Sequence, residues 1–223
     1  MFKVIELLTR KEGMTVEEFQ RAWLERRGPA VARSKGLIRY VQFHPLAMAY
    51  RRGEPACDGM EALWFSTSEA AQAYCQARQE DPAISEIVGN TSRVHVLRPI
   101  LVVDGSPAPG SIVNIIPSQR RRGMTREDFF HHWHTNHARI AGKLPGMTRY
   151  EQNPTEEIVL GEDRYDGVSL VWFDTFADLK SIINTPEHLA ALADEPNFLE
   201  QGGQLPIVLA TEHEIAVPPH PAG

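Results

Sequence analysis

Two residues raise the first chemical question. His137 follows Phe129 by eight positions and Trp133 by four, the spacing of one helix face. Its imidazole is therefore expected to point inward with those rings. An imidazole with its ordinary pKa of about 6.5 exchanges protons at neutral pH, and burial tunes it further. Tyr150 sits two residues before Gln152 on one face of a strand-like run. A phenol beside a histidine can donate a hydrogen bond to a carbonyl oxygen that gains negative charge as an enolate forms. The pair suggests proton abstraction next to a carbonyl, with His137 moving the proton and Tyr150 holding the oxyanion. Both residue types also have a packing use, as a satisfied core histidine and a core tyrosine with its hydroxyl at the rim.

Other candidates are weighed in the same way. His131, His134 and His137 step by three, about 300° of helix rotation, so a third metal ligand would diverge. No HExxH accompanies them, and Cys57 and Cys75 form no CxxC, so no metal is expected. Arg27 offers forked donors for a substrate carboxylate or phenolate, or a salt bridge to a glutamate such as Glu61. His44 shares a strand face with Tyr40 and is the substitute proton carrier of its region. Trp23, Trp64, Trp133 and Trp172 first suggest core packing, and are compatible with an aromatic-lined cavity. Asp58-Gly59 and Asp166-Gly167 fit turns, and Arg120-Arg121-Arg122 a solvated loop. There is no GxGxxG, P-loop or GxSxG, so no nucleotide, flavin or serine-hydrolase chemistry is implied. No cofactor is expected.

The elements that position these residues occur twice. Gly13-Met14-Thr15, Phe19, Trp23 and Gly36 to Tyr40 recur 110 residues on as Gly123-Met124-Thr125, Phe129, Trp133 and Gly146 to Tyr150. Asp58-Gly59 and Trp64-Phe65 recur at an offset of 108 as Asp166-Gly167 and Trp172-Phe173, and Pro82 and Glu86 at 114 as Pro196 and Glu200. So many ordered aromatic and glycine matches mark a tandem duplication. The seam is the Asp104-Gly-Ser-Pro-Ala-Pro-Gly110 stretch. The expected domains are 1–104 and 111–217, joined by linker 105–110 and followed by a tail, 218–223.

Each half reads as βαββαβ. Strands are expected at 2–9 and 111–117, through 44 and 154, at 61–65 and 169–173, and near 93–103 and 205–215. Helices begin at the Thr15-x-x-Glu18 capping box and its variant Thr125-x-x-Asp128, and continue near 68–79 and 176–194. Such a unit leaves one sheet face bare. The expected fold class is α+β: two ferredoxin-like βαββαβ repeats packed sheet to sheet as an intrachain pseudo-dimeric α+β barrel.

The chain of 223 residues has a formal charge of -6, with 42% hydrophobic and 23% charged residues. The first 108 residues carry +1 and the remainder -7. A mildly acidic chain with no long basic run suits neither nucleic acid nor anionic membranes. Charge breaks the first eight residues, and no apolar stretch approaches a membrane span, so neither a secretory signal nor a membrane helix is expected. Two cysteines fit a reducing, cytoplasmic setting.

Gly-Met-Thr-x-Glu/Asp-x-Phe, followed by Trp133, His137 and Gly146-x-x-Arg149-Tyr150, resembles the EthD family of the dimeric α+β barrel superfamily. The resemblance spans both halves. It implies a small-molecule cavity between helices and sheet, lined by Trp133, Phe129, Trp172, Trp23, Arg27, Tyr40 and His44. It also implies a cofactor-independent enzyme acting on a small aromatic or polyketide-like carbonyl compound by dehydration, decarboxylation, cyclisation or isomerisation. A binding protein for an aromatic metabolite and a cofactor-free or haem-dependent monooxygenase are the alternatives, and a homodimer is compatible with the family. Arg27 stands where the family histidine would be, so only the second half carries that histidine.

Overall fold

The computed structural model describes residues 1–79, 86–96, 99–155, 165–200 and 206–219. Pro82, residues 97–98 and 205 of the expected fourth strands, and the tail from 220 lie outside them. The first half runs β1 (Phe2–Arg10), α1 (Val16–Ala22), a π-helical turn (Trp23–Arg27), α2 (Gly28–Val31), β2 (Leu37–Pro45), β3 (Gly59–Phe65), α3 (Ser68–Gln79) and β4 (Val88–Val96). After β5 (Ile100–Val103), the second half repeats the order. It runs β6 (Ile112–Ser118), α4 (Arg126–His131), a π-helical turn (His132–His137), α5 (Ala138–Ala141), β7 (Met147–Pro154), β8 (Gly167–Phe173), α6 (Phe176–Ser181), α7 (Pro186–Asp194) and β9 (Val208–Ile215).

The helix starts follow their sequence signals. Thr15 and Glu18 form the reciprocal capping box, and Thr125 accepts the Asp128 N–H at 3.1 Å. Gly36 and Gly146 take φ of 76° and 68°, the left-handed conformation that lets the chain leave a helix and enter β2 or β7.

Each half has the strand order 4-1-3-2, and the two are joined edge to edge as β4-β1-β3-β2-β9-β6-β8-β7-β5. The last strand of each half reaches the other. Val208–Thr211 of β9 face β6, while Ala210–Ile215 face β2. Reciprocally, β5 leaves the first half and pairs with β7, Ile100 opposite Gln152. The fourth strand expected as one run over 93–103 is thus two strands. Pro99, which has no N–H to donate to a ladder, stands between them.

Alternation along the strands sorts side chains between the barrel interior and the helices. Ile5, Val41 and Phe43 from one half meet Val113, Ile115 and Leu170 from the other inside the barrel. Val4, Tyr40 and Leu63 point the opposite way, under the helices. Burying one such aliphatic or aromatic side chain stabilises the fold by about 1.5–3 kcal/mol. The sheet-to-sheet contact is therefore a core for both halves together.

The helix expected over 176–194 is two. Pro186 cannot occupy a helix interior, so α6 ends and α7 restarts with Thr185 as its cap, accepting the His188 N–H at 3.2 Å. Asn184 turns the chain between them with φ of 66°. The break re-aims α7, and its last residue, Asp194, meets the π-helical turn.

Gly59 and Gly167 are not needed for turn conformation; they make room for tryptophan. A Cβ on Gly59 would lie 2.5 Å from the Trp23 ring, and one on Gly167 2.6 Å from Trp133. The adjoining Asp58 and Asp166 carboxylates accept the Arg10 and Arg120 N–H groups, each at 2.8 Å, and so fix backbone. Gly167→Ala is expected to lower stability by about 1–3 kcal/mol through overpacking, read as a drop in melting temperature with the far-UV spectrum retained.

Candidate active site

The site begins with a widened helix. Gly28 N–H reaches back to the Trp23 carbonyl and Ala138 N–H to the Trp133 carbonyl, the i to i+5 spacing of a π turn. A glutamine from the neighbouring strand shares each carbonyl. Gln42 Nε2 donates to Trp23 O at 3.1 Å, and Gln152 Nε2 to Trp133 O at 3.0 Å. The same amides donate to the Tyr40 and Tyr150 hydroxyls, both at 2.8 Å. The matched Trp, Tyr and Gln of the repeats are therefore one hydrogen-bonded unit, built twice.

In the second half that unit borders a cavity of about 120 Å³. His137, Trp133, Tyr150, Ser169, Asn114 and Glu195 are among the residues that line it, beside apolar side chains that include Met147 and Phe173. His137 is only 9% exposed. Its Nδ1 lies 3.0 Å from Asp194 Oδ2, and the other Asp194 oxygen is 2.9 Å from His132 Nε2 and accepts Asn197 Nδ2 at 3.1 Å. The Phe198 ring packs on the imidazole at 4.8 Å. Burial holds His137 below its ordinary pKa, against the opposing pull of Asp194. Asp194 is itself held low. Its own burial pushes upward, but hydrogen bonds from Asn197, His132 and His137 prevail. An ionised Asp194 accepts from Nδ1–H, which leaves the lone pair on Nε2.

Three of the polar groups that border the cavity have distinct surroundings. Burial raises the Tyr150 pKa despite hydrogen bonds with Ser169, Gln152 and Trp133, so its hydroxyl stays protonated at neutral pH. Asn114 Oδ1 is buried without a hydrogen-bond partner among the described residues. Glu195 is half-buried, its carboxyl pushed up to about 7 by burial and then by the charge of Asp194.

The first half has filled the corresponding space with charge. Arg27 stands at the His137 position, Glu61 at Ser169 and Glu6 at Ile116. Glu61 takes Trp23 Nε1 at 3.0 Å, the Tyr40 hydroxyl at 2.7 Å and the Arg27 guanidinium. Arg78 adds a second cation, 3.0 Å from Glu61 and 2.5 Å from Glu6. All four charged side chains are buried. Burial pushes Glu61 up to about 7 against the attraction of Arg27. An open cleft of about 280 Å³ reaches Arg27 and Arg78 from outside, and Trp23, Tyr40 and Glu61 are not among its lining residues.

The structure thus brings His137, Tyr150 and Trp133 to one cavity, and Trp23, Arg27 and Tyr40 to the charged cluster. Phe129 packs behind Trp133, ring centroids 5.4 Å apart, and does not line the cavity. Trp172 belongs to the barrel interior, where its Nε1 donates to Glu212 at 2.7 Å. His44 stacks on Trp23 at 4.6 Å and bonds Gln42 at 3.0 Å; burial, then His213, push it down to about 3. His134 bonds Gln152 at 2.8 Å, and among the described residues no group of three or more His, Cys, Asp or Glu could hold a metal. Sequence reasoning missed Asp194, Glu195 and Asn114. Asp194 lies 57 residues from His137, and the only local signal was the Asn184-Thr185-Pro186 helix restart.

Residues 11–90 and 121–202 each match the EthD domain. The chain belongs to the EthD family. Solved structures extend the likeness at the level of fold. An anthrone oxidase-like protein is 10% identical with a TM-score of 0.65, over 96% of this chain and 93% of its own. Chlorite dismutase from Candidatus Nitrospira defluvii, in complex with imidazole, is 13% identical with a TM-score of 0.56, over 95% and 90%. A putative monooxygenase from Lactobacillus acidophilus NCFM is 10% identical with a TM-score of 0.51, over 96% and 93%. None of the curated proteins compared with the chain matches it. These EthD repeats therefore share the dimeric α+β barrel fold with proteins of differing chemistry, and the reaction must be argued from the site.

Proposed function

We propose that this EthD protein is an enzyme that moves a proton next to the carbonyl of a small aromatic or polyketide-like compound, without a cofactor. One observation carries the reading: His137 lines a cavity of about 120 Å³ while Asp194 holds its Nδ1, and its Nε2 has no hydrogen-bond partner among the described residues. Orientation by a carboxylate fixes the tautomer and stabilises the imidazolium that forms. The lowered pKa keeps the ring neutral, hence able to accept, at pH 7. Tyr150, protonated and already accepting from Gln152, is placed to donate to the enolate oxygen. Dehydration, cyclisation and isomerisation begin with this step, whereas decarboxylation reaches the same enolate by losing carbon dioxide and then needs a proton returned to carbon.

The ligand partner is a small organic molecule, and the second half alone performs the chemistry. Both cysteines, Cys57 and Cys75, are buried, and so few in a chain of this length suit a cytoplasmic location. Among the described residues no helix is long and apolar enough to cross a membrane.

The test is α-deuterium exchange into cyclohexanone in D₂O, followed by NMR. The protein is expected to catalyse it and His137→Asn to lose it by about 10²–10⁴-fold, the usual contribution of general base catalysis. Saturable binding with no exchange would instead identify a binding protein. The rate should fall as pH drops through the lowered pKa of His137, below 6.5, because the protonated ring cannot accept.

A further inference from the structure

We propose that Glu195 is the proton donor to a leaving hydroxyl, so that the His137 cavity eliminates water from a β-hydroxy carbonyl compound. The inference rests on His137 being the base. Asp194 and Glu195 are consecutive at the end of α7, and they serve one cavity from two sides of its chemistry. The first carboxylate bonds His137 Nδ1, and the second lines the space that His137 borders. The Glu195 carboxyl has no hydrogen-bond or ion-pair partner among the described residues. The other titratable groups lining the cavity are His137, Tyr150 and His188, Asp194 precedes Glu195 in the chain, and among the described residues neither lysine nor arginine lines it. A half-buried carboxyl next to another carboxylate and without a cation is most stable when it keeps its proton. Its raised pKa agrees with that placement. Base and acid are thus both in their working forms near neutral pH.

The lining also chooses among the reactions. Decarboxylation would bring a substrate carboxylate into a space whose described lining holds neither lysine nor arginine to meet it. A neutral hydroxyl meets a protonated carboxyl without that conflict. The cavity of about 120 Å³ suits a single six-membered ring, and its outer lining, Leu192 and Ile207, is 44% and 48% exposed. In the step, His137 Nε2 takes the proton from the α-carbon, and that electron pair becomes the new carbon–carbon π bond. The β-carbon–oxygen bond breaks, and the departing hydroxide leaves as water with the Glu195 proton. Imidazolium and carboxylate remain, and proton return from the first to the second through solvent restores the site.

The probe is 3-hydroxycyclohexanone, whose elimination to cyclohex-2-enone is read by ultraviolet absorbance, run beside cyclohexanone exchange. Wild type is expected to do both. Glu195→Gln is expected to lower elimination at least about 100-fold and exchange less than about tenfold. Glu195→Asp should recover part of the elimination, because it restores an acid. The pH profile of elimination should be bell-shaped, with its alkaline limb near 7 lost in Glu195→Gln. Elimination at the wild-type rate by Glu195→Gln, with the variant folded by its melting curve, overturns the proposal. So does a wild type that exchanges but does not eliminate. A wild type that does neither overturns the base itself, and the role of Glu195 with it.

Discussion

Arg27→Ala is expected to destabilise the first half by about 3–5 kcal/mol, the cost of leaving a buried charge without its partner. Glu61 and Glu6, both fully buried, would then keep Arg78 as the cation bridging them. For a chain of this size the loss corresponds to a melting temperature lower by roughly 6–20 °C. The pH dependence follows from Glu61, whose folded pKa of about 7 lies above the ordinary 4.5. A raised carboxyl pKa means that its share of stability is fully present below 4.5 and lost as pH rises through 7. Without Arg27 the carboxylate is less favoured still, so the deficit of the variant should be largest at alkaline pH and shrink toward pH 5. The double variant Arg27→Met with Glu61→Gln should recover most of the loss, because Arg78 and Glu6 then balance. Calorimetric melts of the three proteins across pH 5–9 check this. Equal melting temperatures for Arg27→Ala and wild type at pH 8 would show that the cluster is not buried as described.

Asp194→Asn is expected to reduce proton exchange by about 10²–10⁴-fold with little change in the fold, since its side chain sits at a helix end. The asparagine amide no longer enforces Nδ1–H on His137, and the imidazolium loses its adjacent negative charge. Because Asp194 raises the His137 pKa against burial, its removal should move the acid limb of the rate profile to still lower pH. A variant that lowered the rate only by unfolding would leave that limb in place. Rate profiles of the folded variant against wild type therefore separate orientation from scaffold effects.

Much of this architecture was legible because it is periodic and repeated. The two copies of Gly-Met-Thr, Trp, Tyr and Gln announce two units with equivalent backbone bonds, and the structure makes the same Gln-to-Trp and Gln-to-Tyr contacts in each. Pattern reading also placed His137 inside, and it paired Arg27 with a glutamate such as Glu61 but as a solvated contact, whereas the structure buries both side chains among Trp23, Tyr40 and Arg78. The π turns were not legible, since an i to i+5 bond leaves no mark on a 3.6-residue apolar stripe. Nor was the exchange of β5 and β9 between halves, because a strand carries no record of which edge it will pair with. Asp194 and Glu195 carry no sequence signal beyond standing at the end of the helix expected near 176–194. Only the restart of α7 at Pro186 brings them to the cavity, and that geometry is tertiary.

The central claim is a neutral imidazole at residue 137, bonded through Nδ1 and open through Nε2 to a space that takes a ligand. Long-range ¹⁵N–¹H NMR of histidine-labelled protein, with and without cyclohex-2-enone, addresses it directly. The expected spectrum shows His137 as the Nδ1–H tautomer, titrating below 6.5, with its Nε2 resonance displaced when the enone is added. An Nε2–H tautomer, titration at or above 6.5, or an Nε2 resonance indifferent to the ligand would contradict it.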